Sequence, residues 1–492
     1  MLTREGLNDL VKEKLSGYLF VVVSNREPYI HAFSGRKIVC QVPASGLTVA
    51  LDPVMQACGG TWIAHGSGDA DREVVDKDNK VGIPPEDPRY SLKRVWLSKE
   101  EEEGYYLGFS NEALWPLCHI VYTRPVFEEC DWNTYRKVNE TFAQNVLDEV
   151  GDRKAFVFIQ DYHLALLSRQ IKERNPNIIT AQFWHIPWPN PEAFRICPWH
   201  EEVLKGLLGN DLLGFHIHYH CNNFMDTVDR SIETRVDREK YEVTCGGKRT
   251  AVRHFPISVD FEDICQEAQK AEVVAEIERL KNQLGIEDEL VGIGLDRIDY
   301  TKGIPDRFRA IDRFLEKYPD YRRRVVFVQA GVPSRMQVAA YKKLNEEVET
   351  LLEEINWKHG SMGRWKPIIY LREHLPTLTL MALRRMANFC VVSSLHDGMN
   401  LVAKEFVASR FDEDGVLILS RFTGASRELT DALLINPYAT DHFAEAIKNA
   451  LEMPEAERHK RMRKMREVVR ENNIYKWAAD IISELVKFEF GE

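Results

Sequence analysis

A cation-rich loop in the second half of the chain has the residue types that bind phosphate. The stretch Asp296–Gly303 contains Arg297 and Lys302 and directly follows the apolar run Val291–Leu295. A helix start is predicted at Gly303-Ile304-Pro305, because proline is favoured in the first turn of a helix. Cations beside a helix N-terminus form an anion site suited to a diphosphate. A surface loop with ordinary salt bridges is the alternative interpretation of the same residues.

A second polar loop could bind sugar hydroxyls. It follows the apolar run Phe389–Val392 and contains Asp397 and Gly398, a glycine that permits a tight turn. The segment Asn400–Ala408 is predicted to be helical and carries Glu405. At a rise of about 1.5 Å per residue, Asp397 and Glu405 lie about 12 Å apart, similar to the distance from sugar to ribose in a nucleoside diphosphate sugar. Because carboxylates accept hydrogen bonds from vicinal hydroxyls, one could hold a hexose and the other a ribose.

Glu405 also has a purely structural interpretation. It could be a charge on the helix surface, paired with Lys404 or Arg410. Its apolar neighbours, such as Val402 and Phe406, predict a largely buried helix, which argues against a solvated ion pair.

Polar residues also follow apolar runs in the first half of the chain. Arg26, Asp161 and His185 each lie just beyond such a run, Gly46 precedes another, and Ser110–Trp115 is predicted to flank a strand. Structural polar residues can occupy such positions, but several that converge on one edge of a sheet indicate a cleft.

Short apolar runs alternate with amphipathic segments along the whole sequence. Continuous runs of this type suit parallel strands that are buried on both faces. The amphipathic stretches Glu262–Leu284 and Ala339–Ile355 are predicted to be helices. This alternation predicts an α/β fold with doubly wound sheets. The predicted strands are Leu19–Val23, Phe156–Ile159, Ile178–Phe183, Val291–Leu295, Val325–Ala330, Ile368–Leu371, Phe389–Val392 and Val416–Leu419.

The chain is too long for one hydrophobic core. Its 492 residues predict two large domains, with a boundary near His254–Ile257, where a short strand precedes a long charged helix. We predict an N-terminal domain over residues 1–256 and a C-terminal domain over residues 257–473. The amphipathic segment 474–492 is predicted to return to the N-terminal domain as a helix.

Composition and charge exclude several classes of protein. Hydrophobic residues make up 44% of the chain and charged residues 29%, which excludes disordered and collagen-like proteins. The net charge of −11 argues against nucleic-acid binding. The basic run His459–Arg470 follows the acidic stretch Glu452–Glu457, as expected for one solvated helix face.

The location is predicted to be cytoplasmic. No signal region follows Met1, and no apolar run reaches the roughly 20 residues of a membrane span. Nine scattered cysteines without a CxxC pair indicate reduced thiols.

One histidine cluster resembles a metal site. The segment His216–Cys221 alternates three histidines and ends in a cysteine, so the histidines could share one face of a strand. No second cluster lies at the spacing that zinc sites use, and we predict that this protein binds no metal here.

Six motifs occur in the order found in one enzyme family. They are Phe109–Trp115, Asp161-Tyr162-His163, His185-Ile186-Pro187, Asp299–Gly303, Asp397–Glu405 and Leu417–Pro437. From about Leu19 to about Leu485, the chain resembles the trehalose-6-phosphate synthase family of retaining glycosyltransferases. The resemblance implies the GT-B architecture, with two Rossmann-like doubly wound domains facing a central cleft. It also implies transfer of glucose from a nucleoside diphosphate glucose to the anomeric hydroxyl of glucose 6-phosphate, giving trehalose 6-phosphate.

The resemblance implies a donor site with distinct roles. Arg297 and Lys302 would bind the diphosphate, Asp397 would bind the transferred glucose, and Glu405 would bind the ribose. The donor-site residues implied are Gly46, His185, Arg297, Lys302, Asp397, Gly398, Met399, Asn400, Leu401, Val402 and Glu405. The catalytic set would be His185, Arg297, Lys302 and Asp397.

The resemblance also implies an acceptor site. Arg26 and Arg335 would hold the acceptor phosphate, and its sugar body would contact Tyr106, Trp115 and Asp161. The expected partners are a nucleoside diphosphate glucose, with UDP-glucose favoured, and a phosphorylated acceptor. Neither nucleic acid nor membrane is an expected partner. The sequence does not decide whether the protein forms a homo-oligomer.

The family mechanism retains the anomeric configuration without an obvious protein nucleophile. The leaving phosphate takes the proton of the incoming hydroxyl on the same face of the sugar, so the protein supplies charge neutralisation and positioning. A glycosidase would need two carboxylates flanking the bond, and the sequence leaves such a pair open. No cofactor is implied as a requirement, and stimulation by a divalent cation such as Mg²⁺ stays open.

Several features depart from the common pattern of this family. The loop Glu27–Pro43 is longer than in the common bacterial enzymes of the family. The segment Arg26-Glu27-Pro28-Tyr29 is similar to the corresponding segment of glucosylglycerol-phosphate synthases, a related branch that uses glycerol 3-phosphate. These departures leave the donor base and the acceptor open, whereas Tyr106 and Trp115 favour glucose 6-phosphate. The substituted positions are Ser45 in place of glycine, Asp296 in place of glutamate and His396 in place of arginine.

Two other functions are disfavoured by the same residues. A non-catalytic regulatory homologue would not need the complete set of binding residues that the sequence contains. A glycogen-type polymerase has no use for Arg26 and Arg335 at a monophosphate. Since the resemblance uses nearly the whole chain, no phosphatase domain is expected to follow.

Overall fold

The computed structural model describes residues 1–43, 46–360 and 365–489. The chain divides into two units, one formed by Met1–Ile257 with Ile474–Glu492 and the other by Ser258–Asn473. Ser45 and the last three residues of the predicted C-terminal segment lie outside the described residues.

The strands of the first unit differ in composition, because those in the middle of its sheet are apolar runs whereas the outer ones also carry polar residues. They are β1 (Leu19–Arg26), β2 (Ile30–Ser34), β3 (Lys37–Gln41), β4 (Thr61–His65), β5 (Lys80–Ile83), β6 (Tyr90–Val95), β7 (Ala155–Gln160), β8 (Ile179–Phe183), β9 (Leu212–Phe215), β10 (Arg235–Asp237), β11 (Glu242–Cys245) and β12 (Lys248–His254). In the described part of the chain, β2 and β3 form a hairpin and the other ten form one sheet, ordered β10-β11-β12-β9-β8-β7-β1-β4-β6-β5. The strands from β12 to β6 run parallel, and antiparallel pairs form both edges.

Helices connect these strands and cover the sheet. They are α1 (Arg4–Lys14), α2 (Gly46–Cys58), α3 (Asp71–Val74), α4 (Lys99–Glu102), α5 (Trp115–His119), α6 (Glu129–Val150), α7 (Leu167–Arg174), α8 (Pro191–Phe194), α9 (His200–Leu207) and α10 (His218–Ser231). A π-helix, Glu103–Leu114, joins α4 to α5.

The π-helix corrects one prediction from the sequence. Ser110–Trp115 does not flank a strand but lies at the junction of the π-helix and α5. Close packing on α6 accounts for part of the difference, because a Cβ at Gly104 would lie 2.9 Å from the Thr134 side chain and one at Gly108 would lie 2.3 Å from Asp131 Oδ2. Glycine at both positions lets the helix approach α6 more closely than other residues would.

The second unit contains one parallel sheet. Its strands are β13 (Leu290–Leu295), β14 (Val325–Ala330), β15 (Ile368–Leu371), β16 (Phe389–Val392), β17 (Val416–Ser420) and β18 (Leu433–Ile435). Within the described residues their order is β15-β14-β13-β16-β17-β18, and all neighbours are parallel. This 3-2-1-4-5-6 order is that of a Rossmann fold, so the predicted α/β class with doubly wound sheets is confirmed.

The helices of the second unit follow the strand–helix alternation expected from the sequence. They are α11 (Phe261–Glu267), α12 (Ala271–Leu284), α13 (Ile304–Lys317), α14 (Ala339–Gly360), α15 (Thr377–Met386), α16 (Leu401–Ser409), α17 (Thr440–Glu452) and α18 (Glu455–Glu471), and α19 (Ile474–Glu489) follows them in the chain. Among the helices that the structure describes, none is both long and apolar enough to cross a membrane.

The predicted single helix Glu262–Leu284 is two helices. The chain breaks between α11 and α12, where Lys270 has an extended backbone. The two pieces pack on different partners, since α11 contacts α16 and α18 whereas α12 contacts α15. Packing on different helices explains the break between α11 and α12, which no proline or glycine marks in the sequence.

The basic run near the C-terminus is neutralised by carboxylates of the same unit. Arg463 pairs with Glu413 over 2.8 Å, and Lys464 pairs with Asp431 over 3.3 Å. The following helix α19 belongs to the first unit, where Trp477 Nε1 donates a 3.2 Å hydrogen bond to a backbone carbonyl.

Candidate active site

The two loops that we predicted to bind phosphate and sugar lie next to each other in the second unit. Asp296–Gly303 follows β13 and Ser393–Asn400 follows β16, and these strands are neighbours in the sheet. From β13 the chain winds outward through β14 and β15 on one side, and β16 to β18 lie on the other. Doubly wound sheets bind ligands at the carboxyl ends of the strands at this switch in direction.

Direct bonds hold these two loops together. The Leu395 amide donates to the Thr301 carbonyl over 2.7 Å, and Ser393 Oγ donates to the Lys302 carbonyl over 3.0 Å. Lys302 Nζ forms a 2.6 Å ion pair with Asp397 Oδ2, and each of the two side chains keeps 14% of its surface exposed. A cation and a carboxylate from the two loops therefore meet in a partly open site.

A buried aspartate organises the cations of the first loop. Burial raises the pKa of Asp299, but the charges of Arg335, Arg297 and Lys302 more than offset this, so its pKa is lowered overall. No described residue forms a hydrogen bond or an ion pair with the Arg297 guanidinium, although it is close enough to lower the pKa of Asp299. The charge of Arg297 is therefore available to a ligand.

Arg335 is connected to the same aspartate. Its Nη1 donates to the Tyr341 hydroxyl over 2.5 Å, and that hydroxyl donates to Asp299 Oδ2 over 2.9 Å. Arg335, which the resemblance implies as an acceptor-phosphate ligand, is thus part of the electrostatic network of the cation-rich loop.

Three candidate residues have backbone conformations that favour glycine. Asp161, Arg335 and Asn400 have φ angles of +71°, +50° and +94°. Such conformations are costly for residues with a side chain and persist where the surrounding structure imposes them, often at ligand sites. The sequence carries no signal for this strain.

Two glycines allow the loops of the second unit to approach one another. A Cβ at Gly303, where φ is +60°, would lie 2.4 Å from the Ser393 carbonyl oxygen. A Cβ at Gly424 would lie 2.1 Å from the carbonyl oxygen of Gly398. Any larger residue at either position would separate the two segments.

The helix that follows the second loop begins at Leu401, one residue after the predicted start. Asn400 caps α16 by accepting a 3.0 Å hydrogen bond from the Ala403 amide, and Gly398, Met399 and Asn400 are buried whereas Leu401 and Val402 are half-buried.

Glu405 pairs with neither of the cations that the sequence offered. It bonds to Arg384, while Lys404 is buried in a 2.6 Å pair with Glu428 and Arg410 pairs with Asp412. Tertiary contacts, not neighbours along the helix, decide these pairs.

A buried arginine lies beneath both loops. Arg307 is fully buried and contacts Asp296 at 2.7 Å, Ser393 Oγ at 3.0 Å and Gln329 Oε1 at 2.7 Å. These partners come from the ends of three strands, so one guanidinium ties β13, β14 and β16 together. Sequence reasoning missed Arg307, although its spacing from Ile304 and Ile311 places it on the buried face of α13.

In the first unit, candidate acceptor residues also lie at a switch in strand order. Arg26 ends β1 and Asp161 follows β7, the parallel neighbour of β1. Arg26 Nη2 donates to the Tyr106 hydroxyl over 2.8 Å, and the Tyr106 ring stacks on His163 at 5.6 Å. An exposed guanidinium and an aromatic ring thus share one side of this sheet edge.

Asp161 and His185 are brought together directly. The His185 amide donates to Asp161 Oδ1 over 3.1 Å, and His185 Nε2 lies 2.9 Å from Gln160 Oε1. Desolvation, with a smaller contribution from His163, lowers the pKa of His185 to about 3. The imidazole is therefore neutral near pH 7 and can contribute hydrogen bonds but not charge.

Trp115 is linked to Tyr106 through a buried chain of side chains. Its ring lies 5.8 Å from that of Tyr162, whose hydroxyl donates to Asn111 Oδ1 over 2.9 Å. Asn111 in turn donates to the Tyr106 carbonyl over 2.6 Å. Tyr106 and Trp115 therefore belong to one packed group, held by hydrogen bonds at Asn111 and by the ring contact of Trp115 with Tyr162.

A buried arginine anchors the segment that follows Arg26. Arg94 is fully buried and bonds to Glu27 and Asp71, each at 2.8 Å. Burial and the neighbouring Asp71 raise the pKa of Glu27, against the opposing charge of Arg94. Sequence reasoning missed this cluster, which fixes the start of the segment Glu27–Pro43.

Gly46 begins α2, which is tied to the same loop. Asp52 on α2 accepts a 3.0 Å hydrogen bond from the Tyr29 hydroxyl and a 2.6 Å bond from the Tyr90 hydroxyl. Helix α2, which begins at the implied donor-site residue Gly46, is therefore tied to the segment after Arg26.

The histidines of His216–Cys221 do not lie on one strand. β9 ends before them and α10 begins at His218, whose ring packs on Tyr241 and His254. His216 Nε2 lies 3.0 Å from the His185 carbonyl oxygen. In the described part of the chain, no group of three or more histidine, cysteine, aspartate or glutamate residues could hold a metal ion.

Comparison with known proteins decides the family. The sequence profile of glycosyltransferase family 20 matches residues 18–487. The chain belongs to glycosyltransferase family 20. Among curated relatives, it is 39% identical over 480 residues to the bifunctional trehalose-6-phosphate synthase/phosphatase of Thermoproteus tenax, covering 95% of this chain and 63% of that protein. It is 34% identical to the UDP-forming alpha,alpha-trehalose-phosphate synthase A of Dictyostelium discoideum, covering 98% of this chain and 64% of that protein.

Solved structures more than 30% identical to this chain have the same architecture. An E. coli trehalose-6-phosphate structure bound with UDP-2-fluoro glucose matches with a TM-score of 0.84 and 33% identity, covering 95% of this chain and 99% of the other. A UDP-forming alpha,alpha-trehalose-phosphate synthase from Burkholderia xenovorans in complex with glucose-6-phosphate matches with a TM-score of 0.85 and 31% identity, covering 95% and 99%. The predicted GT-B architecture, with two Rossmann-like units, is thereby confirmed.

Proposed function

We propose that this family 20 protein is a retaining glucosyltransferase that transfers glucose from UDP-glucose to glucose 6-phosphate, releasing trehalose 6-phosphate and UDP. The observation that carries the proposal is the pairing of Lys302 with Asp397 at the switch point of a Rossmann sheet. Relatives named as trehalose-phosphate synthases, and solved structures with a UDP-glucose analogue or glucose-6-phosphate bound, support the choice of substrates.

The reaction requires charge neutralisation more than a protein nucleophile. The bond from C1 of glucose to the diphosphate oxygen breaks, and the anomeric hydroxyl oxygen of the acceptor forms the new bond to C1. The hydroxyl proton passes to the leaving diphosphate. Arg297 and Lys302 would stabilise the charge that develops on that group, an effect that fixed cations exert strongly in a water-poor site.

The same geometry supports roles for the residues proposed to bind sugar hydroxyls. Binding of the diphosphate by Lys302 would release Asp397 Oδ2 from this ion pair, so that the carboxylate could accept a hydrogen bond from the transferred glucose. His185 is neutral, so it would contribute a hydrogen bond to the donor sugar without repelling a cation. We further propose that Arg26, Tyr106 and the Trp115 group contact the acceptor.

Glucosylglycerol-phosphate synthesis is the alternative, because the segment after Arg26 is similar to that branch. The test offers UDP-, GDP- and ADP-glucose in separate reactions against glucose 6-phosphate and glycerol 3-phosphate, with products identified by mass spectrometry. A disaccharide monophosphate from glucose 6-phosphate supports the proposal and names the donor. Product from glycerol 3-phosphate alone assigns the protein to the other branch, and binding without turnover on either acceptor indicates a regulatory homologue.

Arg335→Ala is expected to raise KM for glucose 6-phosphate far more than KM for the donor. Charged hydrogen bonds contribute about 1.5–3 kcal/mol, so loss of the phosphate contact should raise the acceptor KM about 10- to 150-fold. Tyr341→Phe is the matched control, because it removes the hydroxyl between Arg335 and Asp299 but keeps the guanidinium. Equal increases in both KM values for Arg335→Ala would assign Arg335 to the donor loop instead.

We also propose that catalysis requires no resident cofactor, with Mg²⁺ at most stimulatory. Arg297 and Lys302 supply two positive charges for the diphosphate, so dialysis against EDTA should leave most of the turnover intact. Initial rates before and after EDTA treatment, and after Mg²⁺ is restored, check this. Complete loss with EDTA and full recovery with Mg²⁺ would overturn it.

The proposal keeps the cytoplasmic location expected from the sequence, and all nine cysteines are free thiols. A homo-oligomer is tested by measuring the mass of the purified protein in solution by light scattering.

A further inference from the structure

One arginine that the sequence did not single out contacts the candidate ribose-binding carboxylate. Arg384 lies on α15 and Glu405 on α16, and Arg384 Nη2 donates to Glu405 Oε2. Their side chains are 9% and 19% exposed, respectively. The pair therefore lies at the edge of the buried interior, on α15 and on the helix that follows the second polar loop.

We propose that Arg384 is a positioning residue of the donor site: it orients the Glu405 carboxylate toward the ribose hydroxyls and so makes the enzyme prefer ribonucleotide over 2′-deoxyribonucleotide donors. The inference rests on the proposed function, through the role given there to Glu405 at the ribose.

The two carboxylate oxygens of Glu405 differ in their hydrogen bonding. Oε2 accepts the bond from Arg384, whereas no described residue donates to Oε1. A charged hydrogen bond fixes the plane of the carboxylate more firmly than a neutral one would. With one oxygen held by the protein, the other is presented in a defined direction and can accept from a ribose hydroxyl.

Neither of the two cations nearest to Glu405 in the sequence performs this task. Lys404, the neighbour of Glu405 in the sequence, forms an ion pair with Glu428 over 2.6 Å. Arg410 forms an ion pair with Asp412 over 3.0 Å. Orientation of Glu405 thus depends on Arg384.

Arg384 is itself held in place by its backbone. The Arg410 guanidinium donates to the carbonyls of Arg384, Arg385 and Ala387 at the C-terminal end of α15, over 3.2, 3.0 and 2.5 Å. A cation that caps a helix C-terminus fixes its last turn. The guanidinium of Arg384 consequently projects from a rigid support.

The ion pair with Glu405 is also the main interaction of the Arg384 side chain. Its Nε is buried and has no hydrogen-bond partner among the described residues, so Glu405 is the only group there that its guanidinium binds. Removing the guanidinium therefore acts first on Glu405 and not on a wider network.

The test compares kcat/KM for UDP-glucose with kcat/KM for 2′-deoxy-UDP-glucose, with glucose 6-phosphate as acceptor. We expect Arg384→Met to reduce the preference for the ribonucleotide at least fivefold, with no change in acceptor KM. Arg384→Lys should recover part of the preference. Because the ratio of the two values does not depend on the fraction of active protein, partial misfolding of a variant does not affect it.

Two variants provide controls. Arg385→Met changes the next residue on α15, which pairs with Asp412 over 3.0 Å, and should leave the preference at the wild-type value. Glu405→Gln should reduce the preference as Arg384→Met does. The double variant should reduce it no further than either single variant, since both act through one contact.

An unchanged preference in Arg384→Met, with Glu405→Gln reducing it, would overturn the inference and leave the ion pair purely structural. Additive effects in the double variant would overturn it as well. Calorimetric binding of UDP and 2′-deoxy-UDP separates this inference from the proposed function. A preference for UDP that depends on Arg384 in a protein without transferase activity would support the inference and contradict the proposed function.

Discussion

Replacing Lys302 by alanine is expected to lower kcat/KM for UDP-glucose by about 10- to 150-fold, the equivalent of losing one charged hydrogen bond to phosphate. Lys302 Nζ pairs with Asp397 over 2.6 Å, and both groups belong to the loops at the switch point of the sheet. The variant loses a cation for the leaving diphosphate and leaves Asp397 without its neutralising partner, so both donor binding and kcat should fall. Initial rates over a range of UDP-glucose concentrations, at saturating glucose 6-phosphate, measure both effects.

A second lysine on the adjoining helix is the control for Lys302. Lys317 lies in the last turn of α13 and bonds to Glu445, and both side chains are partly open to solvent. Lys317→Ala should therefore retain wild-type kinetics, because exposed ion pairs contribute little. If Lys302→Ala also gave near-normal turnover, Lys302 would not belong to the active site.

Arg307→Met is expected to destabilise the second unit by about 3–5 kcal/mol, the usual result of removing one partner of a buried ion pair. Arg307 is fully buried, and the substitution leaves Asp296 buried with no compensating cation. For a unit of this size, this loss corresponds to a decrease in melting temperature of roughly 6–20 °C. Thermal unfolding followed by calorimetry measures it, and addition of UDP should recover part of the loss if the ligand binds the folded unit.

The control for Arg307 lies two residues further along the same helix. Arg309 is about half-exposed and bonds to Glu347 on α14, so Arg309→Met should change stability by no more than about 0.5 kcal/mol. Arg307→Met combined with Asp296→Asn should be more stable than Arg307→Met alone, since the unpaired charge is gone. Equal melting temperatures for the two single variants would contradict the proposed importance of the Arg307 network.

Much of the fold could be predicted because its strands are continuous apolar runs. The bounds of Val325–Ala330, Ile368–Leu371 and Phe389–Val392 were predicted as the structure has them. Strands of a parallel sheet are mostly apolar along their length, so their ends are visible in the sequence. The break between α11 and α12 was not visible, because it follows from the different helices on which the two pieces pack.

The sequence by itself determined which chemical groups stand at the ends of the strands and in what order. Two cations after β13 and two carboxylates after β16 already indicated a site for a phosphorylated sugar, because the ends of parallel strands meet at one edge of a sheet.

Only the tertiary structure decided how the charges pair. Lys302 meets Asp397, Glu405 meets Arg384 instead of a neighbour on its own helix, and Arg94 binds two carboxylates in the interior of the first unit. A charge removed from water must be compensated by whichever opposite charge the fold brings within a few ångströms, and separation along the chain does not encode that distance.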